Sequence, residues 1–363
     1  MNNYETFLAS HPSTYNTLLN KEKSVQVCGA IMLYEGRKVR LKKIWLVNKI
    51  FKTIKKIEMQ KRRNFLKQSG ALALGSLVLN NHAEAFFKNC HAVGLQLFTF
   101  FNTIDADVQG TLKKIADIGY KEIESAFSRK GGYYGMKPKE FSSMLKDLGL
   151  SWKSHHVLSA PFKMPADFKP PLGADGKPMT ISQMKNLRDN YQELVDEVAE
   201  AGVPYIVCAT TPIGSVEEVK QSIDILNKAS EAAKRAGITL AYHNHDKEFD
   251  TLNGKVIYDR FLTETNPDTL KMELDLCWVT AAGVDPIDLF KKHPGRFPLW
   301  HVKDYDKEKK GPAPVGTGIV DFKRIFANAK VAGMKHFFVE HDMPADAFAS
   351  ITESMKNLKK IVG

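Results

Sequence analysis

A repeating alternation of short apolar segments and amphipathic segments runs through the chain from residue 93 and limits the fold more than any other feature. Eight segments are short, apolar and rich in β-branched or aromatic residues, as buried parallel strands are. They are VGLQLFT (93–99), YKEIESA (120–126), SWKSHHV (151–157), PYIVCAT (204–210), ITLAYHN (238–244), LKMELDL (270–276), PLWHVKD (298–304) and HFFVEHD (336–342).

The segments between these strands have the character of helices. Five of them carry apolar residues at helical spacing and end in a glycine suited to a helix C-terminus. These are TLKKIADIG, EFSSMLKDLG, YQELVDEVAEAG, SIDILNKASEAAKRAG and FKRIFANAKVAG. Residues 86–363 amount to about 278 residues, close to the ~250 of a typical eight-stranded β/α barrel. No G-x-G-x-x-G motif follows the first strand, so we predict an α/β fold consisting of a single (β/α)8 TIM barrel, with a Rossmann fold as the weaker alternative.

The amino-terminal part of the chain is typical of an export signal. It reads KRRNFLK at 61–67, continues with the apolar run GALALGSLVL at 70–79, and ends with AEA at 83–85. KRRNFLK resembles the twin-arginine export motif, which predicts export by that route to the periplasm. The apolar run is about half of the ~20 residues that span a bilayer, so no stable membrane anchor is expected.

The proposed domain organisation follows from this signal. Residues 1–85 form a leader and residues 86–363 the catalytic TIM barrel. Residues 1–58 are an unusually long extension before a signal peptide, and Met59 lies just ahead of KRRNFLK. We hypothesise that native translation begins at Met59, so that the signal peptide covers 59–85. The alternative is a basic amphipathic surface helix in the extension.

The net charge of the chain, +11, is concentrated in this leader. Residues 1–85 hold 15 of the 52 basic residues and 5 of the 41 acidic ones, which leaves residues 86–363 with a net charge of only +1. A nearly neutral barrel has no electrostatic attraction to a phosphate backbone, so a nucleic-acid partner is not expected.

Acidic and imidazole side chains collect where the later strands end. Residues at the carboxyl ends of barrel strands meet around one axis, and alternation along each strand selects those that point inward. His243, Asp275, His301 and Glu340 are a consistent inward set on strands five to eight. Two imidazoles with two carboxylates predict a site for one divalent ion, Mn, Co, Fe, Zn or Mg, rather than the all-oxygen site of calcium. A polar network without metal is the alternative.

The ordered segments LAYHNHDKEF, ELDLCWV, WHVKDYD, VGTGIVDF and FVEHD resemble the sugar phosphate isomerase/epimerase group of xylose-isomerase-like TIM barrels. The resemblance covers essentially all of 93–361. It implies one divalent metal held by a strand-5 Glu, a strand-6 Asp, a strand-7 His and a strand-8 Glu. Asp275, His301 and Glu340 match the last three, while His243 or, with a small shift, His245 stands where the epimerases have glutamate. In those enzymes two glutamates exchange protons across the substrate, so this chain departs from the pattern of two-base epimerisation.

The resemblance also implies a small-molecule sugar or keto-sugar as partner, with chemistry at the carbon next to its carbonyl. Glu340 would serve as both metal ligand and base, and His245 and His155 are candidate acids or bases. Lys303 would stabilise an enolate oxygen or bind the sugar, with a plain salt bridge to Asp304 or Asp306 as the alternative. Glu124 and Trp278 are the remaining candidates for substrate contact.

Three functions remain open from the sequence. The first is a metal-dependent isomerase/epimerase-like enzyme that removes a proton α to the carbonyl of a non-phosphorylated sugar. The second is a lyase or hydratase that acts on 3-keto-glycosides by β-elimination. The third is an exported barrel that binds a sugar without turning it over, beside an oxidoreductase partner or in a homo-oligomer.

Two loops complete the expectations. Residues 158–180 contain five prolines and no periodicity, which predicts a lid over the barrel mouth or a tolerated surface insertion. In VGTGIVDF, Gly316 and Gly318 permit close backbone approach and Asp321 is expected to cap the next helix. This segment lacks the lysine and the preceding strand of a phosphate-binding loop.

Overall fold

The computed structural model describes residues 92–161 and 184–362. The expected leader and signal peptide (1–85) and residues 162–180 of the expected lid lie outside the described residues, so they stay predictions. Within the described ranges, no helix is both long enough and apolar enough to cross a bilayer.

Eight parallel strands close into a barrel. The strands of the described residues are β1 (Gly94–Gln96), β2 (Glu122–Ser125), β3 (Ser151–Leu158), β4 (Tyr205–Thr210), β5 (Thr239–His243), β6 (Thr251–Leu252), β7 (Lys255–Val256), β8 (Leu270–Asp275), β9 (Leu299–Val302), β10 (Asp304–Asp306), β11 (Gly311–Ala313) and β12 (His336–Val339). The barrel runs β1–β2–β3–β4–β5–β8–β9–β12 and closes where β12 pairs with β1. Each barrel strand falls on one of the eight predicted segments, which confirms the single (β/α)8 barrel. The pairs β6–β7 and β10–β11 are small antiparallel hairpins outside it.

Helices cover the outer face of this barrel. They are α1 (Val108–Ile118), α2 (Pro138–Asp147), α3 (Leu187–Glu200), α4 (Val216–Arg235), α5 (Ile257–Glu264), α6 (Leu276–Ala281), α7 (Pro286–Lys292), α8 (Phe322–Phe326), α9 (Ala329–Ala332) and α10 (Ala347–Val362). The predicted terminal glycine of α1, Gly119, has the left-handed φ of +115° that ends a helix. The segment predicted as one helix before Gly333 is two short helices, α8 and α9.

The inside of the barrel changes from apolar to polar along its axis. Val207, Ala241, Leu299 and Phe338 pack together as a closed apolar cluster. Gly94 makes room for this cluster, because a Cβ there would lie 2.4 Å from Cδ1 of Phe338. One or two positions further along the strands, the inward side chains are charged or imidazole groups. The apolar cluster therefore closes the amino end and leaves the polar groups at the carboxyl end.

Strand β9 shows how one short sequence serves both faces. Leu299 and His301 point into the barrel, while Trp300 points outward and stacks on Phe290 of α7 with ring centroids 5.0 Å apart. Trp300 is fully buried, and burying a side chain of this size stabilises the fold by roughly 3 kcal/mol. The outward packing of Trp300 agrees with its position next to an inward-facing histidine.

Candidate metal centre at the carboxyl ends of the strands

The four predicted metal ligands lie together inside the barrel mouth. Asp275 Oδ2 is 3.9 Å from His243 Nε2 and 3.7 Å from His301 Nδ1. His301 Nδ1 is in turn 2.9 Å from Glu340 Oε2. One ligand atom each from Asp275, His301 and Glu340 lie within 4.8 Å of one another, and all three residues are buried. The arrangement can therefore hold a metal ion.

Local structure places each of these groups. Register pairs Asp275 with His301 across β8 and β9, so their side chains emerge side by side. Asp275 also caps α6, because its Oδ1 accepts the Trp278 amide at 2.9 Å. This leaves Oδ2 to face the histidines. Glu340 follows directly after the last residue of β12 and completes the ring of strand ends.

Lys303 lies among the carboxylates of the same site. Its Nζ is 2.7 Å from Glu340 Oε2, 2.8 Å from Asp342 Oδ2 and 2.9 Å from Asp275 Oδ2. Burial opposes its charge, but these carboxylates outweigh burial and hold the pKa of Lys303 well above its ordinary value. Lys303 does not make the salt bridge to Asp304 or Asp306 considered from the sequence. It is a buried ammonium group in the site itself.

A second set of buried groups lies beneath the histidines. Glu124 Oε1 is 2.6 Å from His301 Nε2 and 3.1 Å from His156 Nε2. Glu273 Oε2 is 2.8 Å from His156 Nε2 and 3.2 Å from both His243 Nδ1 and His301 Nε2. All of these residues are buried. Each ligand histidine therefore has one nitrogen directed at the metal-binding groups and the other directed at a carboxylate.

The electrostatics of the two histidine environments differ. Burial lowers the pKa of His156, but Glu124 and Glu273 outweigh it and raise this pKa to about 9. Burial, with the neighbouring imidazoles of His301 and His245, holds the pKa of His243 well below its ordinary value. His243 is therefore a neutral imidazole with a free lone pair, as a metal ligand must be.

The buried carboxylate oxygens of this cluster indicate whether a cation fits there. Among the described residues, Glu273 Oε1 and Asp275 Oδ2 are buried and make no hydrogen bond. Lys303 Nζ faces Asp275 Oδ2 at 2.9 Å outside hydrogen-bond geometry, so the contact there is electrostatic. This one ammonium group is shared by three carboxylates, so negative charge remains in the buried cluster, which is costly unless a further cation compensates it. The donor set of imidazoles and carboxylates suits a divalent metal, whose identity the geometry does not select.

The other predicted site residues are placed differently. His245 is half-exposed at the mouth, with its ring 5.0 Å from that of His243. Trp278 is half-buried beside it, with its ring centre 5.2 Å from Lys303 Nζ. Both therefore line the entrance to the site.

His155 and Glu124 are not at this entrance. His155 points out of the barrel, where Nδ1 is 2.7 Å from Ser125 Oγ and the ring packs on Tyr133 at 4.6 Å. Glu124 is fully buried, and its oxygens are taken by Gln96, Ser154, His156 and His301. Glu124 therefore contacts the histidines of the site where the sequence suggested contact with substrate.

Three groups in the site were not selected from the sequence: His156, Glu273 and Asp342. A register shift between β2 and β3 places Ser154 and His156 inside, and His155 outside. The periodicity of the sequence does not predict this register shift. Glu273 is two residues before Asp275, so strict alternation would have placed it on the same face. Asp342 follows Glu340 by the same interval and reaches Lys303.

These observations define a class of protein: an eight-stranded parallel barrel with a buried histidine and carboxylate centre at the carboxyl end, where barrel enzymes carry their active sites. Residues 112–361 match the family described as xylose isomerase-like TIM barrel. The chain belongs to this family.

Individual relatives narrow the activity. Inosose dehydratase of Geobacillus thermodenitrificans (strain NG80-2) is 26% identical over 239 residues, which is 58% of this chain and 74% of that protein. A sugar phosphate isomerase/epimerase from Parabacteroides distasonis ATCC 8503 has a TM-score of 0.62 and 28% identity, covering 76% of this chain and 100% of that one. The IOLI protein, solved with a zinc atom, shares the fold at a TM-score of 0.53 and 16% identity, covering 75% and 98% of the two chains. The protein is an enzyme of the isomerase/epimerase or lyase group, and the alternative of a barrel without catalytic activity is set aside.

Proposed function

We propose that this enzyme removes the proton next to the carbonyl group of a non-phosphorylated keto-sugar, and that a divalent metal assists it. The observation that carries the proposal is the convergence of Asp275, His301 and Glu340 on one buried point beside Lys303. This combination supplies metal ligands, a base and a fixed positive charge within one small volume. The zinc atom of the IOLI protein supports a metal in a barrel of this family.

Asp275, His301, Glu340 and His243 would hold the metal. A divalent ion bound there would polarise the sugar carbonyl, an effect worth several kcal/mol for a developing enolate. The residues of the chain orient the sugar, accept the proton and compensate the charge that develops.

Glu340 is the proposed base. Burial by itself raises its pKa, but the ammonium group of Lys303 is the strongest opposing influence and the pKa is held well below the ordinary value. Glu340 is therefore a carboxylate at neutral pH and can accept the proton. Proton transfer to a positioned side chain contributes ~10²–10⁴-fold to a rate.

Lys303 is the proposed electrostatic partner of the reaction. Its ammonium group is buried and held by Glu340 and Asp342, so its direction is set before the substrate arrives. A donor fixed in this way stabilises negative charge on a carbonyl oxygen without reorganisation. Trp278 lies over Lys303 and offers an apolar face to the sugar ring.

The residue facing Glu340 favours β-elimination over epimerisation as the second half of the reaction. Two-base epimerisation needs a second base on the other face of the sugar, a carboxylate in the epimerases. Here His243 occupies that position as a neutral imidazole whose Nδ1 is bonded to Glu273 and whose Nε2 faces Asp275, so neither nitrogen is free to act as that base. Elimination needs one base and one acid, and the half-exposed His245 is placed to protonate a leaving group at the mouth. The similarity of the chain to inosose dehydratase supports β-elimination. A 3-keto-glycoside fits, because its ketone acidifies the C2 proton and its aglycone leaves from C1.

The charges of the site support a substrate without phosphate. Lys303, the ammonium group in the site, is already surrounded by three carboxylates. With the proposed divalent ion counted, these charges sum to about zero, so the site has no excess positive charge to hold a phosphate. Export through the KRRNFLK signal to the periplasm, which we also propose, agrees with this substrate class because sugar phosphates are kept in the cytoplasm.

The test is incubation of the metal-loaded enzyme with a 3-keto-glycoside, a free keto-sugar and a keto-sugar phosphate in D₂O, followed by NMR. We expect release of the aglycone from the 3-keto-glycoside with loss of the C2 proton and formation of a C1=C2 double bond, and deuterium at C2 where the enolate is reprotonated or water adds to that bond. All of these changes should be lost in Glu340→Gln. Exchange accompanied by a C-epimer and no release would identify an epimerase. Faster turnover of the sugar phosphate than of its unphosphorylated counterpart would contradict the substrate class.

A further inference from the structure

A buried layer of Glu124, His156 and Glu273 lies on the side of the ligand histidines away from the barrel mouth. We infer that Glu124 and Glu273 are positioning residues: each accepts the N–H of one ligand imidazole and thereby directs the other nitrogen of that imidazole toward the metal. The inference rests on the proposed function, because it concerns the metal ligands assigned there.

The shortest hydrogen bond between a ligand imidazole and a layer carboxylate is made by His301. Its Nε2 lies 2.6 Å from Glu124 Oε1, a hydrogen bond in which the imidazole donates. Its Nδ1 lies on the other side of the ring, 2.9 Å from Glu340 Oε2 and 3.7 Å from Asp275 Oδ2. A proton kept on Nε2 leaves the lone pair of Nδ1 for a metal between Asp275 and Glu340.

His243 repeats the pattern with the other carboxylate. Its Nδ1 donates to Glu273 Oε2 at 3.2 Å, and its Nε2 faces Asp275 Oδ2 at 3.9 Å. Metal-binding histidines generally donate their second N–H to a carboxylate or carbonyl, which sets the tautomer and increases the basicity of the ligand. Two independent histidines with the same geometry make this a feature of the whole centre.

His156 joins the two carboxylates. Its Nε2 is 2.8 Å from Glu273 and 3.1 Å from Glu124, and its ring is stacked on that of His301 with an angle of 7° between the planes. Gln96 and Ser154 bind Glu124 from the remaining sides. The carboxylate of Glu124 is thus held in place from several directions and has no surface open to a sugar.

A second metal ion is the competing explanation of the same layer. His156, His243, Glu273 and His301 offer ligand atoms within 4.8 Å of one another. An ion there together with one above would need both ring nitrogens of His243 and of His301. An imidazole that binds two ions must give up both of its protons, whereas one that donates to a carboxylate keeps one. Two ions at once are therefore disfavoured, and a single ion within the layer would need His301 Nε2, which instead makes the 2.6 Å hydrogen bond to Glu124, so the geometry favours one ion on the Nδ1 side of His301.

The experiment measures metal affinity directly, by competition with a chromophoric chelator using Zn²⁺ and Mn²⁺, and metal content by mass spectrometry. The variants are Glu273→Gln and Glu124→Gln. Glu122→Gln is the matched control, because Glu122 also pairs with a histidine (His336, 2.8 Å) but lies two residues before Glu124, at the amino end of the barrel and away from the metal-binding groups. Thermal unfolding in EDTA checks that each variant is folded.

We expect one ion per wild-type chain and a metal Kd about 10–100-fold weaker in both layer variants, with the control unchanged. At saturating metal the KM for the keto-sugar should return toward the wild-type value. Unchanged metal affinity with a raised KM in Glu124→Gln would assign Glu124 to the substrate and overturn the inference. Two ions per chain, falling to one in Glu273→Gln, would overturn it in favour of a second metal. A wild-type chain that binds neither ion would overturn the proposed metal function as well.

Discussion

Adjacent residues in this barrel have opposite surroundings, and His155 and His156 are the sharpest example. His156 lies between two carboxylates inside the barrel; burial lowers its pKa, but those charges outweigh burial and raise it to about 9. His155 lies outside between strand and helix layer, where burial, followed by the charge of His156, lowers its pKa to about 3. The environment of each side chain, and not its residue type, determines its charge at neutral pH.

The first prediction at this scale concerns Asp275→Asn. Asparagine can still cap α6 through the Trp278 amide, but it removes the charged oxygen that faces His243 and His301. We expect metal affinity to fall by more than the ~10–100-fold typical of residues behind the ligands, with the barrel folded. Mass spectrometry of the purified protein and circular dichroism measure the two quantities.

Asp285→Asn is the matched control for this change. Asp285 caps α7 through the Ile287 amide at 3.0 Å in the same way. It should keep full metal content. Full retention of the ion by Asp275→Asn would show that the metal site lies elsewhere.

The second prediction concerns acid stability and His155. The pKa of His155 is about 3 in the fold against an ordinary 6.5, so between these pH values the unfolded chain binds a proton that the folded chain rejects. The free energy of unfolding therefore falls as pH drops through this window. His155→Gln can retain a hydrogen bond to Ser125 but does not titrate. Between pH 7 and pH 4 it should lose less stability than wild type, by on the order of 3 kcal/mol.

Urea unfolding of metal-free protein at the two pH values measures this difference. Equal losses in the variant and in wild type would rule out His155 as the acid-sensitive group.

At the scale of elements, the loop VGTGIVDF is organised around a carboxylate of the neighbouring hairpin. Asp304 accepts the amides of Tyr305 and Val320 on Oδ1 and those of Gly316 and Gly318 on Oδ2, at 2.8–3.0 Å. A Cβ at Gly318 would lie 2.3 Å from Tyr305 O, which explains the glycine. The loop therefore binds a residue of its own chain. It also anchors the segment that carries His301 and Lys303.

We predict that Asp304→Asn destabilises the protein. The side-chain NH₂ would face two of the four amides, and leaving buried donors unsatisfied costs ~1–3 kcal/mol each. The loss in free energy of unfolding should be roughly 3 kcal/mol, measured in urea. Asp306→Asn on the same hairpin is the control, because both of its amide partners use Oδ1, which asparagine keeps. Equal stability of the two variants would contradict the role given to Asp304.

At the scale of the whole molecule, the barrel closes within residues 86–363. The first strand, β1, pairs with β2 on one side and with β12 on the other, so closure joins residue 94 to residue 338. The site depends on this closure, because Glu124 of β2 reaches His301 of β9 across the interior. The parts of the centre come from strands spread over most of the barrel.

We therefore predict that a chain beginning at Phe86 folds and binds metal as the full-length protein does. The free energy of unfolding in urea and the metal content by mass spectrometry should agree between the two. A truncated chain that aggregates or loses its metal would show that the first 85 residues contribute to the folded enzyme.

Much of the fold and part of the site follow from local patterns in the sequence. Alternating apolar segments identified all eight barrel strands, because a buried strand must be apolar whatever surrounds it. The glycine after α1 and the helix cap at Asp321, which accepts the Arg324 amide at 3.0 Å, could likewise be predicted from the sequence. Both depend only on backbone geometry within a few residues. The positions of His243, Asp275, His301 and Glu340 at strand ends followed from the same register.

The tertiary structure alone decided which polar groups share the interior. Whether His155 or His156 faces inward depends on a register shift between β2 and β3. The partners of Lys303 and Glu124 come from other strands, because barrel closure brings together side chains far apart in sequence, as in the bond between Glu124 and His301, which are 177 positions apart. A sequence pattern records the periodicity of each strand, whereas the charge and protonation of a buried group depend on every neighbour that closure places around it.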